Sequence, residues 1–167
     1  MIARATRIYL LALIGAEATL LTSFVLVHLL VVAGNDSIYE VYHGVLMRAV
    51  LVVGIPTIGF KSRSVGFLTQ IRSCPKWMWR TAVGIAMYGM LTFALLFSPM
   101  DERHLSAWVG SAFPLGFEAV PICILYSALS ASRNEETWII ERARVSVLFL
   151  ILGFLWVLYG GRGITAH

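Results

Sequence analysis

Residues 8–33, IYLLALIGAEATLLTSFVLVHLLVVA, constrain the chain more than any other stretch. They hold one acid, Glu17, and one histidine, His28, and the rest are apolar or small. A bilayer core of about 30 Å takes roughly 20 apolar residues in a helix, so this run is long enough to cross with some tilt. Glu17 and His28 are eleven residues apart. At 100° per residue they return to nearly the same helix face, about 16 Å apart along the axis. Ionisable groups inside a membrane are costly and normally face protein or a water-filled space. One face of the first helix therefore presents two titratable groups at different depths.

The start of this run imitates a secretory leader. Arg4 and Arg7 precede it, and Ala16-Glu17-Ala18 resembles a small-residue cleavage site. The apolar sequence continues fifteen residues beyond Ala18, which favours an uncleaved first span over a leader.

The rest of the chain agrees with a membrane solvent. Of 167 residues, 59% are hydrophobic and 13% charged, against roughly 25% charged in soluble domains. The expected fold is all-α, a single integral membrane domain forming a polytopic transmembrane bundle of five spans. These lie at about 8–33, 43–60, 81–99, 108–131 and 145–161. The second is the weakest, with about 18 residues and Arg48 within it. The runner-up is therefore four spans plus a re-entrant or interfacial segment. Between the first two, GNDSIYEVYH is short, acidic and tyrosine-rich, and Gly34 and Asn35 are suited to ending the first helix.

Residues 61–80 carry Lys61, Arg63, Arg72, Lys76 and Arg80, no acid, and Trp77 and Trp79 near their end. This pattern fits a basic interfacial loop whose cations meet anionic headgroups and whose tryptophans sit at the membrane boundary. With the N-terminus cytoplasmic, ten basic residues fall in inside segments and two, Arg103 and Arg162, outside, with Arg48 in a span. That asymmetry places the N-terminus in the cytoplasm and the C-terminus outside, in a multi-pass protein of the bacterial inner-membrane kind. It also explains a net charge of +4 without invoking nucleic acid.

Four groups could carry chemistry within the membrane: Glu17, His28, Arg48 and Glu118. Counting residues from the span ends puts both acids near the midplane, with Arg48 and His28 nearer the outer side. They could form a polar path, since carboxyl groups in a low-dielectric interior can hold and exchange protons. They could equally be internal locks, with Arg48 paired to at least one acid and His28 hydrogen-bonded to a neighbour. Gly84, Gly89, Ala112 and Gly116 supply small surfaces for close helix packing.

No cofactor is expected. Two cysteines, Cys74 and Cys123, give no metal spacing, and the histidines form no i, i+4 pair. A haem b between His28 and His43 is the weak exception. No nucleophile elbow, zinc-protease, nucleotide-binding or dinucleotide-binding motif is present. The expectation is a small non-enzymatic membrane protein that works as a homo-oligomer or as a subunit, leaning to an ion- or proton-conducting, channel-like assembly. An anchor or sensor that recruits a cytoplasmic protein partner is the alternative, and a haem-carrying anchor of a redox complex comes third. The lipid bilayer is the one partner common to all three.

Overall fold

A computed structural model describes residues 2–60, 67–92, 102–132 and 137–160. Among these residues the chain is all-helical, with no strand. In order come α1 (Ile2–Val32), α2 (Ser37–Ile58), α3 (Phe67–Arg72), α4 (Lys76–Leu91), α5 (Glu102–Ala131) and α6 (Thr137–Gly160). Among the described residues, three helices are long and apolar enough to cross a membrane, over Arg4–Val32, Ser37–Ile58 and Leu105–Ala131. The described part of α4 is 16 residues long, and the rest of the expected span at 81–99 lies outside the described residues. The 24 residues of α6 begin eight residues before the expected span at 145–161 and carry Glu141, Arg142 and Arg144 in their first third.

The first helix ends where its sequence allows a reversal. Gly34 takes φ 91°, a left-handed conformation that costs glycine nothing sterically. Its N–H then reaches the Val31 carbonyl at 2.8 Å, and the Asn35 N–H reaches Leu30 at 3.0 Å, so two end carbonyls are satisfied. The connection is shorter than expected. Residues 37–43 belong to α2 rather than to a loop, with Glu40 in the first turn, where a negative charge suits the helix dipole. The added turns bring α2 to 22 residues, about 33 Å at 1.5 Å per residue.

The long helices run alternately up and down. Leu10 and Leu13 of α1 share a core with Ile124, Leu125 and Ala128 of α5, and also with Phe60, Ile139 and Ala143. At the other end of α1, His28 meets Ser111. The two helices are thus antiparallel. Similarly, Cys74 and Ala82 pack on Cys123 and Ala119, which sets α4 antiparallel to α5. Besides His28, the buried positions of α1 are Thr6, Leu10, Leu13, Glu17, Leu20, Phe24, Val27 and Val31. Their alternating spacing of four and three is that of a helix seam. Glu17 occupies a core position in that seam.

The outside of the bundle is apolar. Leu148, Phe149, Ile151, Leu152, Phe154, Leu155 and Trp156 of α6 are all exposed. So much contiguous apolar surface suits lipid as the solvent.

Candidate functional site

Glu17 and Glu118 sit near the midpoints of α1 and α5 and are 0% and 1% exposed. The antiparallel packing brings them face to face, and their side chains hydrogen-bond to each other. Neither group has a donor while ionised, so the contact requires a proton held between them. Thr57 of α2 completes the group, its Oγ1 lying 2.7 Å from Glu17 Oε1. No donor among the described residues reaches Oε2 of either acid. The hydrogen available there is the one the two acids share.

Apolar layers close the pair off along the bundle axis. Leu20 and Phe24 lie between Glu17 and His28 on the buried face of α1, and Leu10 and Leu13 lie on the other side. Laterally the surroundings differ. A cavity of about 500 Å³ lies between α2, α4 and α5, with Gly54, Ile55, Met90, Phe113, Glu118 and Pro121 in its wall. Among the described residues, Glu118 is the one ionisable group in its lining.

His28 forms a second polar group on the same seam. Its Nδ1 lies 2.9 Å from Ser111 Oγ, and its Nε2 lies 2.7 Å from Tyr88 OH. Ser111 donates onward to the Trp108 carbonyl at 3.0 Å, and Trp108 Nε1 approaches Tyr88 OH at 3.4 Å. The donors and acceptors run in one direction: indole to phenol, phenol to Nε2, Nδ1–H to serine, and serine to carbonyl. A neutral imidazole satisfies every member of this ring. Both ring nitrogens are engaged, so axial ligation of haem by His28 would break one of these bonds. His43 packs against Tyr39 within α2, ring centroids 4.6 Å apart. Among the described residues no three metal-ligating side chains converge.

Arg48 corrects one expectation. It is exposed, and Glu17 meets Glu118 and Thr57 instead of a guanidinium. The face that α2 turns toward α1 is the one bearing Thr57, and an arginine on the outward face keeps its charge at the bundle surface. Two acids at one level need no cation when they share a proton.

The small residues divide. A Cβ on Gly89 would stand 3.0 Å from the Ala112 carbonyl and 3.2 Å from the Gly116 nitrogen, and one on Gly116 would stand 3.3 Å from Ala86 Cα. Backbones of α4 and α5 therefore touch at these positions. Gly84 is exposed with nothing within 4 Å of its Cβ direction, so it takes no part in this contact.

In the basic segment, Lys61 and Arg63 lie outside the described residues. Arg72 ends α3, and Lys76 to Arg80 form the first turn of α4, with Trp77 71% exposed. The Arg80 guanidinium lies 5.9 Å from the Trp79 ring, close enough for a cation–π contact. The reciprocal acid pair, the ring around His28 and the Thr57 contact were not readable from spacing, because each depends on which helix lies opposite. Tyr9 adds a further tie of this kind, donating to Ser146 at 2.8 Å, which donates to the Pro56 carbonyl at 3.0 Å.

Comparisons with protein-family models, curated proteins and solved structures return no match.

Proposed function

We propose that this chain is a non-enzymatic, multi-pass membrane protein that moves protons, working as an oligomer or as a subunit of a membrane assembly. In this reading five helices cross a bacterial inner membrane with the N-terminus in the cytoplasm. The observation that carries it is the proton-sharing pair of Glu17 and Glu118 at the middle of two packed helices. A carboxyl facing hydrocarbon at that depth costs on the order of 3 kcal/mol or more, so intramembrane acids persist where they do work or are paired. Here the pairing is with another acid, which secures the contact only while a proton is held. The apolar layers above and below mean that conduction requires the pair to open to one side at a time.

Proton flux in liposomes driven by a pH gradient tests the reading. Wild-type protein should acidify the vesicles faster than protein-free controls, and Glu17→Gln and Glu118→Gln should return the rate to that of the controls. Wild-type flux equal to the controls removes the proposal and leaves the pair as a lock between α1 and α5. The topology is tested separately by reporter fusions after Arg80 and His167, which should label opposite faces.

A further inference from the structure

The corner between α3 and α4 is fastened to α5 by two adjacent polar pairs. Ser73 Oγ lies 3.0 Å from Ser127 Oγ. The next residue, Cys74, donates from Sγ to the Cys123 carbonyl at 3.1 Å, and the two thiols hydrogen-bond to each other. Ser127 and Cys123 are about one turn apart on α5, so consecutive residues of the corner meet consecutive turns of one helix. Ala82 and Ala119 pack in the same cluster, and their small side chains allow the close approach. The chain has two cysteines in all, and the fold sets them side by side although they are 49 residues apart. Both are free and buried.

The two sulfurs are not equivalent. Cys74 precedes the first turn of α4, and the exposed Arg72 and Lys76 flank it in the chain. Cationic neighbours and a helix N-terminus favour a thiolate. The hydrogen bond from the Cys123 thiol acts in the same direction; with one from the Ser127 backbone N–H it outweighs burial and holds the Cys74 thiol below its ordinary range. Cys123 lies inside α5 and is 1% exposed.

We infer that Cys74 and Cys123 form a reversible dithiol that a hydroperoxide closes to a disulfide, with Cys74 as the attacking thiolate and Cys123 as the resolving thiol. The Cys74 sulfur takes one peroxide oxygen, the O–O bond breaks, and the other oxygen leaves as hydroxide and takes up a proton. The Cys123 sulfur then attacks the Cys74 sulfenic acid. An S–S bond forms, the S–O bond breaks, and the oxygen leaves as water with the Cys123 proton. Two thiols lose two electrons and one peroxide gains them. The new bond staples the α3–α4 corner to α5 across 49 residues of chain. No step uses the acid pair, so this inference stands or falls apart from the proposed flux.

The test treats the full-length protein in lipid nanodiscs with hydrogen peroxide, then denatures it, alkylates the remaining thiols and maps them by peptide mass spectrometry. Wild type should lose both alkylatable thiols, gain a cross-link between the Cys74 and Cys123 peptides, and stay a single chain on non-reducing gels. Dithiothreitol should restore both thiols. In Cys123→Ser, Cys74 should stop at the sulfenic acid and be captured by dimedone. In Cys74→Ser, the Cys123 thiol should be lost about tenfold more slowly than Cys74 is in Cys123→Ser. Dimedone present during the wild-type reaction should tag Cys74 and not Cys123, which assigns the roles even if a serine variant does not fold. Both thiols persisting in the folded wild type, at a peroxide dose that oxidises the denatured chain, would overturn the inference. So would disulfides formed only between chains, or equal loss rates in the two serine variants.

Discussion

The α1–α5 seam carries two polar groups about 16 Å apart, and they are finished differently. Around His28 every donor has an acceptor, the ring closes through Ser111, Trp108 and Tyr88, and a neutral imidazole suits all of them. At Glu17 and Glu118 the contact holds only while a proton is shared, and no donor among the described residues reaches Oε2 of either acid. A closed network fixes which helices meet and at what rotation. An open one costs stability and is retained where something is exchanged or bound. Glu17 and His28 are both buried on one helix face at different depths, and the His28 ring extends to the exposed Tyr88, whereas both acids are closed in.

That distinction has measurable consequences, and the largest is expected where helix backbones hold the ring together. Gly89→Leu forces a side chain against the Ala112 carbonyl and Gly116 backbone, and neither can yield. Thermal or denaturant unfolding should show a loss of about 1–3 kcal/mol or more, because overpacking at a backbone contact has no cheap relief. It should also carry Tyr88, the next residue, away from His28. Gly84→Leu, one helix turn and a half earlier in open space, should stay within about 0.5 kcal/mol. Equal effects at the two glycines would mean that α4 and α5 are not packed through this contact.

Next in size is the ring itself. His28→Leu keeps the volume apolar and strands Ser111 and Tyr88, at an expected cost of about 1–3 kcal/mol, with proton flux retained. Loss of flux with unchanged stability would transfer the working role from the acids to the histidine. The acids should behave in the opposite way. Glu17→Gln keeps the shape and gains a donor toward Glu118, so stability should change by about 1 kcal/mol or less while flux disappears. The smallest effect is expected at Arg48. It is exposed and faces away from both acids, so Arg48→Ala should alter stability by no more than about 0.5 kcal/mol. A loss of several kcal/mol there would restore the salt-bridge lock that the geometry replaces.

Much of the architecture is legible in the sequence. Gly34 as the end of α1, an all-helical chain and three of the long apolar helices follow from run length and from one residue able to adopt a positive φ. The positions of Glu17 and Glu118 near the middles of long apolar runs were legible too. The start of α2 was not, because Tyr-rich, mildly acidic residues read as a connector until the helix dipole and the neighbouring α5 are present; Tyr39 packs over Gly110 there. In a helix apolar on nearly every side, the seam at positions 10, 13, 17, 20, 24, 27 and 31 leaves no contrast in the sequence. Only its partners reveal which face is buried.

The sequence by itself determined that the chain is helical, apolar enough for a membrane, and burdened with an acid near the middle of each of two long apolar runs. These are properties of single helices, set by composition, run length and the 1.5 Å rise. The tertiary structure decided that the acids face each other and not Arg48, that His28 is closed in a ring, and that a cavity opens beside Glu118. Those outcomes depend on the rotation of each helix about its own axis and on the choice of neighbours. Such choices are fixed by backbone contacts at Gly89 and Gly116 and by side-chain packing across the seam, and they have no period that a single sequence displays.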